Sequence, residues 1–454
     1  MRQAASGEGG LPPGRRRLAV AAILLSTLMS VLLGSIVNLA LPVMAEALEV
    51  TAAQVVWVVT AYQLALLASL LPCGALGEAI GYHRVFLFGL AGMAVTGVVC
   101  ALADSLPVLV AARALQGVAA AAVMGLTGAL LRHAFPPAAL GRAIGLNAMT
   151  VALGGTLGPG LGALVLSLGS WHWVFAVTLP FALVAGLVGV PTLPRVAGTG
   201  RRFDMRGAAL NALAFGLLLT GAGWLVLELW LGLCLVAGGA VALWLLVRQQ
   251  RGKAQPLLPI DLLALPSMGI VLSASVCGFA AQMLGFVVLP FLMDHGWGFS
   301  TALSGALLLL WPLAVGALAP VAGRLADRHD TAILCAAGSG VLGMGLIALS
   351  VVPGAAAPWL AAAAIMLCGV GFGLFQTPNM RAILGAAPLS RSGGAGGMQA
   401  TARLFGQSVG TVGAAILFQL LPGSASLVSL RVAAALAAIA CLLSLARWRR
   451  GTTR

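Results

Sequence analysis

Charged residues make up only 8% of the 454-residue chain, so an ionisable side chain inside an apolar stretch needs a partner or a task. The two set deepest are Arg113, in RALQG, and Arg403, in TARLFGQ. A guanidinium in a bilayer core costs about 2.5–3.5 kcal/mol or more, so each must face a cavity or a partner; Arg403 could also snorkel to the surface. Gln116 and Gly117 follow Arg113 on the same segment. The stretch GALGEAIGYHR carries Gly74, Glu78, Gly81, His83 and Arg84, and GRLADRHD repeats its spacing with Gly323, Leu325, Asp327 and Arg328. A turn of this kind can hold one conformation through an ion pair and release it in another, with Gly74 and Gly81 relieving backbone crowding. Uncharged groups able to line a polar cavity are Asn38, Tyr62, Gln63, Gln116, Asn147, Gln282, Gln376, Asn379, Gln399 and Gln407, together with Trp311. The amides could equally bond one helix to the next.

Other chemistries find no residues to carry them. The seven cysteines stand singly in apolar runs without CxxC spacing, and His83, His133, His172, His295 and His329 fall at loops or span ends. Neither a metal cluster nor a nucleophile triad emerges, and the Gly-rich runs GSGVLGMG and CGVGFG lack a phosphate-loop lysine. No catalytic residue, metal or cofactor is therefore expected. A net charge of +14 could suggest nucleic acid, but no basic helix or aromatic RNA-binding pattern bears it.

The elements that must position these groups are membrane helices. With 61% hydrophobic residues and a mean hydropathy of +1.06, this is an all-α polytopic membrane protein in contact with lipid. A bilayer core takes roughly 20 helical residues. The chain divides into fourteen such stretches: 18–43, 55–76, 85–103, 107–131, 142–168, 172–194, 207–227, 229–247, 267–293, 301–322, 332–352, 358–380, 394–421 and 427–446. Alternating short segments of the kind a barrel needs are absent. The opening run after Arg15, Arg16 and Arg17 is too long for a signal peptide and reads as a retained first helix.

Loop charge orients the chain. Alternate loops hold Arg84; Arg132 and Arg142; Arg195, Arg201, Arg202 and Arg206; Arg248, Arg251 and Lys253; Arg324 and Arg328; Arg381 and Arg391; and a terminal cluster, while the opposite side holds Arg431. That distribution places both termini in the cytoplasm and requires an even number of spans. Trp171, Trp173, Trp224, Trp230, Trp297 and Trp359 fall at outer span ends, where an indole anchors at the interface.

The repeated turn resembles the loop signature of the major facilitator superfamily. Arg113, Gln116 and Gly117 resemble its fourth-helix motif, and Gly154, Gly158, Pro159 and Gly162 in GGTLGPGLGA its antiporter-associated fifth-helix motif. With SIVNLALP, WVVTAYQL and fourteen spans, the chain resembles the fourteen-helix drug:proton antiporter family. The resemblance implies a six-helix half at 1–195, an inserted helix pair with linkers at 196–261 and a second six-helix half at 262–454. It also implies a carrier of the bacterial inner membrane that works as a monomer and exports hydrophobic or amphipathic compounds in exchange for protons. Coupling would then centre on Arg113, Gln116, Gly117 and the segment from Gly154 to Gly162, gates on the two turns, and the cavity on Asn38, Tyr62, Gln63, Gln282, Trp311, Gln376, Asn379 and Arg403.

One departure bears on mechanism. Leu33 stands where the family's first helix carries aspartate, and all eleven acids fall in loops or at span ends. A buried carboxylate can bind a proton or a lipophilic cation in turn; leucine binds neither. Proton coupling is then absent or has moved to an acid such as Glu46, Asp104 or Asp294. Two membrane arginines without a membrane acid also make an electropositive cavity. The alternative reading is a transporter of an acidic or zwitterionic metabolite with different or no proton antiport.

Overall fold

The computed structural model describes residues 10–136, 139–200, 203–251, 253, 260–263, 265–352, 357–386 and 392–452. Arg201, Arg202 and Arg391 of the charge pattern lie outside them. No strand occurs among the described residues. Fourteen long helices follow one another: α1 (Pro13–Ala47), α2 (Ala52–Ile80), α3 (Tyr82–Ala101), α4 (Leu106–Ala134), α5 (Leu140–Leu168), α6 (Trp173–Thr192), α7 (Met205–Trp224), α8 (Leu229–Gln250), α9 (Pro266–Phe291), α10 (Thr301–Arg328), α11 (Thr331–Val351), α12 (Pro358–Ala386), α13 (Ser392–Leu420) and α14 (Ala425–Thr452). Thirteen of them are long and apolar enough to cross a membrane. The other is α13, which carries Gln399, Arg403 and Gln407 at four-residue spacing and buries Ser408 and Thr411.

The helices overrun the apolar stretches, because residues at the membrane surface can be helical without being apolar. Thr51 and Gln54 form a reciprocal cap that starts α2. At its far end α2 runs through Glu78 to Ile80, and Gly81 alone reverses the chain into α3. Its φ of 109° lies where a side chain is strained, so this position requires glycine. Gly74 and Gly323 instead sit inside helices and face open space, contrary to the expectation that Gly74 relieves crowding. Two of the tryptophans expected as interface anchors, Trp171 and Trp297, are buried. Arg15, in the first turns of α1, donates to Thr192 O (3.1 Å) and Leu193 O (3.2 Å), satisfying carbonyls at the end of α6.

The two sets α1–α6 and α9–α14 share one packing scheme. In the first, α1 packs on α5 and α6, and α2 and α3 pack on α4; in the second, α9 packs on α13 and α14, and α10 and α11 pack on α12. Glycines set the close approaches in both: Gly117 of α4 abuts Tyr62 and Ala65, and Gly369 of α12 abuts Trp311 and Ala314. The register that aligns Gly74 with Gly323 therefore also aligns Tyr62 with Trp311. Between the sets, α7 and α8 form a hairpin whose α7 packs on α2 and α13. Asn211 Nδ2 donates to Ala68 O at 2.7 Å, and Phe215 meets Phe405 with ring centroids 5.9 Å apart.

Candidate functional site

Arg113 projects from α4 into the first helix set and is fully buried. Its Nε donates to Val58 O (3.1 Å), Nη1 to Gln116 Oε1 (2.6 Å) and Nη2 to Leu33 O (3.5 Å). The guanidinium lies 4.2 Å from the Tyr62 ring centroid and 5.7 Å from that of Phe175. Thus the residue at the departure, Leu33, meets the arginine through its backbone oxygen, and no carboxylate pairs with Arg113 among the described residues. Carbonyl and amide oxygens with two aromatic faces compensate the charge instead. Tyr62 is itself fixed by donating from its hydroxyl to Ser30 O at 3.1 Å. Gln116 is buried, and its Nε2 has no partner among the described residues.

The motif glycines of α5 face α1. Gly154, Gly158 and Gly162 recur every four residues and turn one stripe onto α1, within the same helix set. A methyl group at Gly154 would come 2.9 Å from Val31 Cβ, one at Gly162 3.2 Å from Ile36 Cγ1, and one at Gly158 would collide with Ser35 Oγ. Ser35 Oγ donates to Val31 O (3.2 Å) and lies 3.3 Å from Gly154 O, so it belongs to this seam although no sequence signal singled it out. The face of α5 beside that stripe, with Pro159, Gly160 and Ala163, meets Gly305 and Leu309 of α10 in the other set. Gly305 was likewise invisible in the sequence, because what demands it is Ala163 on another helix.

This α5–α10 contact is closed toward the outer ends and open toward the arginine-rich ends. Around Gly305 a methyl group would meet Ala163, Leu39 and the Pro159 carbonyl, whereas Gly145 of α5 and Gly316 and Gly323 of α10 face open space. Beside the closed end, Leu39, Pro42, Val43, Pro290, Asp294, Thr301 and Ser304 enclose a cavity with room for at most about one water. On the opposite flank α2 and α13 stay in contact as far as Leu71 and Gly397.

The other candidates separate into glue and cavity wall. Asn379 Nδ2 donates to Ser275 Oγ at 3.0 Å, tying α12 to α9, so it is an interhelical bond and not the cavity group expected. Asn38 Nδ2 donates to Gly34 O (2.9 Å) on its own helix, leaving Oδ1 without a partner among the described residues. Trp311 is buried against Phe286, ring centroids 6.0 Å apart, with Nε1 also lacking one. Gln63 is buried, while Gln282, Gln376 and Arg403 remain partly accessible.

At the arginine-rich ends the two turns differ. Asp327 pairs with Arg381 of α12, not with Arg328, and Arg381 Nη1 also lies 3.5 Å from Gly323 O. Glu78 is exposed, with no ion pair among the described residues, and Arg84 is exposed beside it. The Glu78 carbonyl accepts from Thr199 N at 2.9 Å, so the linker after α6 crosses this turn. A second clasp closes the inserted hairpin. Asp204, capping α7, accepts from Gly207 N (3.0 Å), Gln249 Nε2 (3.1 Å), Gln250 Nε2 (2.9 Å) and Lys253 Nζ (2.6 Å). Burial alone would raise its carboxyl pKa, but these bonds and the Lys253 charge outweigh it and hold the value at about 2.

Of the acids considered for coupling, the structure brings two together. Glu46 of α1 meets Asp294 and His295 of the π-turn Leu292–Gly296 after α9, their ligand-type atoms all within 4.8 Å of one another. Asp294 Oδ2 lies 3.2 Å from His295 Nδ1. Asp104 is exposed elsewhere, at the turn between α3 and α4.

Two six-helix sets with matching internal packing, a polar centre and a contact closed at one end only define a membrane transporter of the two-half type. The chain belongs to the Major Facilitator Superfamily, whose family model matches residues 23–411. It is 40% identical over 441 residues to the transporter YebQ of Escherichia coli (strain K12), covering 96% of each chain. It is 31% identical to the tetracenomycin C resistance and export protein of Streptomyces glaucescens, over 88% of this chain and 75% of that one. The riboflavin transporter RibZ of Clostridioides difficile (strain 630) is 27% identical, over 86% and 85%. Two solved structures share the fold. The peptide transporter POT in complex with sulfate has a TM-score of 0.73 at 16% identity, covering 97% of this chain and 95% of that one. The human organic anion transporter MFSD10 has a TM-score of 0.64 at 17% identity, covering 96% and 100%.

Proposed function

We propose that this transporter exports hydrophobic or amphipathic small molecules across the bacterial inner membrane by alternating access, in exchange for protons. The observation that carries the reading is the one-sided closure of the α5–α10 contact, the form expected of a carrier halted with its cavity toward the cytoplasm. The name of the Streptomyces relative, a resistance and export protein, supports the outward direction. For the proton, Glu46 and Asp294 are the acids to consider. They come from opposite halves and meet, together with His295, where the outer ends of α1 and α9 converge.

A second reading, an acidic or zwitterionic metabolite carried without proton antiport, is favoured by the contact of Leu33 with Arg113 where a carboxylate would serve a cation. Energised inside-out vesicles with a pH-sensitive dye separate the two. Release of protons on adding a lipophilic cation, absent from vesicles without the transporter, supports exchange. A response confined to acidic compounds supports the second reading, and transport of no class of compound overturns both.

A further inference from the structure

The two membrane arginines are in opposite circumstances. Arg113 has no accessible surface, three of its donors are engaged and aromatic rings flank it. Arg403, midway along α13, keeps part of its surface accessible. It makes no hydrogen bond or ion pair among the described residues.

Position tells the same story. On α13, Gly406 and Gly410 press against Val276, Phe279 and Ala280 of α9, and Gly397 approaches Leu71 of α2. At 100° per residue, Arg403 falls between these two contact faces, on the stripe with Gln399 and Gln407, and therefore toward the bundle centre.

The internal repeat shows that the fold does not need this charge. Gly406 and Gly410 follow Arg403 by three and seven residues, as Gly154 and Gly158 follow Val151. The position equivalent to Arg403 is thus Val151. By the matching contacts of Gly117 and Gly369, the position equivalent to Arg113 is Ile365. Each half packs with an aliphatic residue where the other carries arginine. Among the described residues Arg403 has no acceptor, and the acids lie at helix ends or in connections, so its charge is available to a ligand.

We propose that Arg403 is the substrate-binding cation of this carrier and that the substrate class it selects is an amphipathic organic monoanion, a carboxylate or phenolate on a hydrophobic body. The proposal rests on the reading of the chain as a small-molecule exporter, in its second form without proton antiport. One accessible guanidinium matches one negative charge, which it can grip through two parallel hydrogen bonds. The same choice accounts for Leu33: an inside-negative membrane potential already drives an anion outward, so a proton-carrying carboxylate on α1 is not required.

The test is binding to the purified full-length protein in nanodiscs of zwitterionic lipid, followed by fluorescence anisotropy. Three probes share one fluorophore: dansyl-phenylalanine, its methyl ester and dansylcadaverine, which are anionic, neutral and cationic. The wild type is expected to bind the carboxylate about tenfold or more tightly than the ester. Arg403→Gln should erase that preference while leaving ester affinity unchanged, and Arg403→Lys should keep part of it. No preference in the wild type, a preference that survives Arg403→Gln, or tightest binding of the cation overturns the proposal. If Arg403→Gln proves unfolded, the wild-type ranking and Arg403→Lys decide. Proteoliposome uptake separates this site from the exporter reading. Preference without movement of any probe removes the exporter and leaves the site, and movement of ester and cation alone does the reverse.

Discussion

Replacing Gly305 by alanine adds one methyl group at the tightest contact between the two halves. The new Cβ would fall onto Ala163 Cβ, with Leu39 Cδ2 at 3.2 Å and Pro159 O at 3.3 Å. Leu39 can turn aside, but Ala163 has only its methyl group and Pro159 O is backbone, so α5 and α10 must part by about 1 Å or more to regain ordinary contact. Overpacking of this kind costs about 1–3 kcal/mol. The penalty falls on the outer-closed conformation, where the contact exists. It therefore moves the population toward the outward-open form by about 5-fold to 150-fold, and Gly305→Leu moves it further. Spin labels at Asp104 and Ser424, both exposed on the outer side of opposite halves, read the separation. The distance distribution should lengthen in Gly305→Ala and become single and long in Gly305→Leu, with transport falling accordingly. Gly413→Ala, whose added methyl meets open space, is the control. An unchanged distribution with unchanged transport in Gly305→Leu would mean that this contact is not the outer gate.

The two arginines should part company in thermal stability. Arg113→Ala leaves Gln116 Oε1 and the Val58 carbonyl without their donor, about 1–3 kcal/mol for each buried acceptor, whereas Arg403→Gln should leave the melting temperature unchanged or raise it. The Asp204 clasp gives a pH signature. Its carboxyl has a folded value of about 2 against an ordinary 3.8, so its contribution is full above the ordinary value and is lost as pH falls from there through the folded one. Amide exchange at the start of α7 should accelerate across that window in the wild type, and the acid-dependent part should vanish in Asp204→Asn. Asp327 and Arg381 are both more than half exposed, so Asp327→Asn should change global stability by at most about 1 kcal/mol and conformational populations by no more than about fivefold, read with the same spin labels.

Much of this was legible because membrane helices advertise themselves. The fourteen apolar stretches, the basic loops on one side and the repeat of Gly74, Leu76 and Glu78 in Gly323, Leu325 and Asp327 follow from composition and spacing alone. The stripe of Gly154, Gly158 and Gly162 was visible as a motif, but not its partner. Period gives a face, and only the assembled bundle says that this face meets α1 and that Pro159, Gly160 and Ala163 meet the other half. Arg113 and Arg403 looked alike as charges in apolar runs. What separates them is whether acceptors from Val58 and Leu33, far away in sequence, converge on the guanidinium. The inserted pair could be placed at 196–261, yet nothing in the spacing says that Gln249, Gln250 and Lys253 at the far end of the hairpin gather on Asp204 at its start.

Flux under an imposed potential tests the anion carrier most directly. Proteoliposomes loaded with dansyl-phenylalanine, with a potassium gradient and valinomycin setting an inside-negative potential and no pH gradient, should release the dye faster as the potential grows. One charge moving across 100 mV is worth about 2.3 kcal/mol, a bias of roughly fifty-fold at equilibrium. The release should be lost in Arg403→Gln. Release that ignores the potential and follows only a pH gradient, or that persists without Arg403, would contradict it.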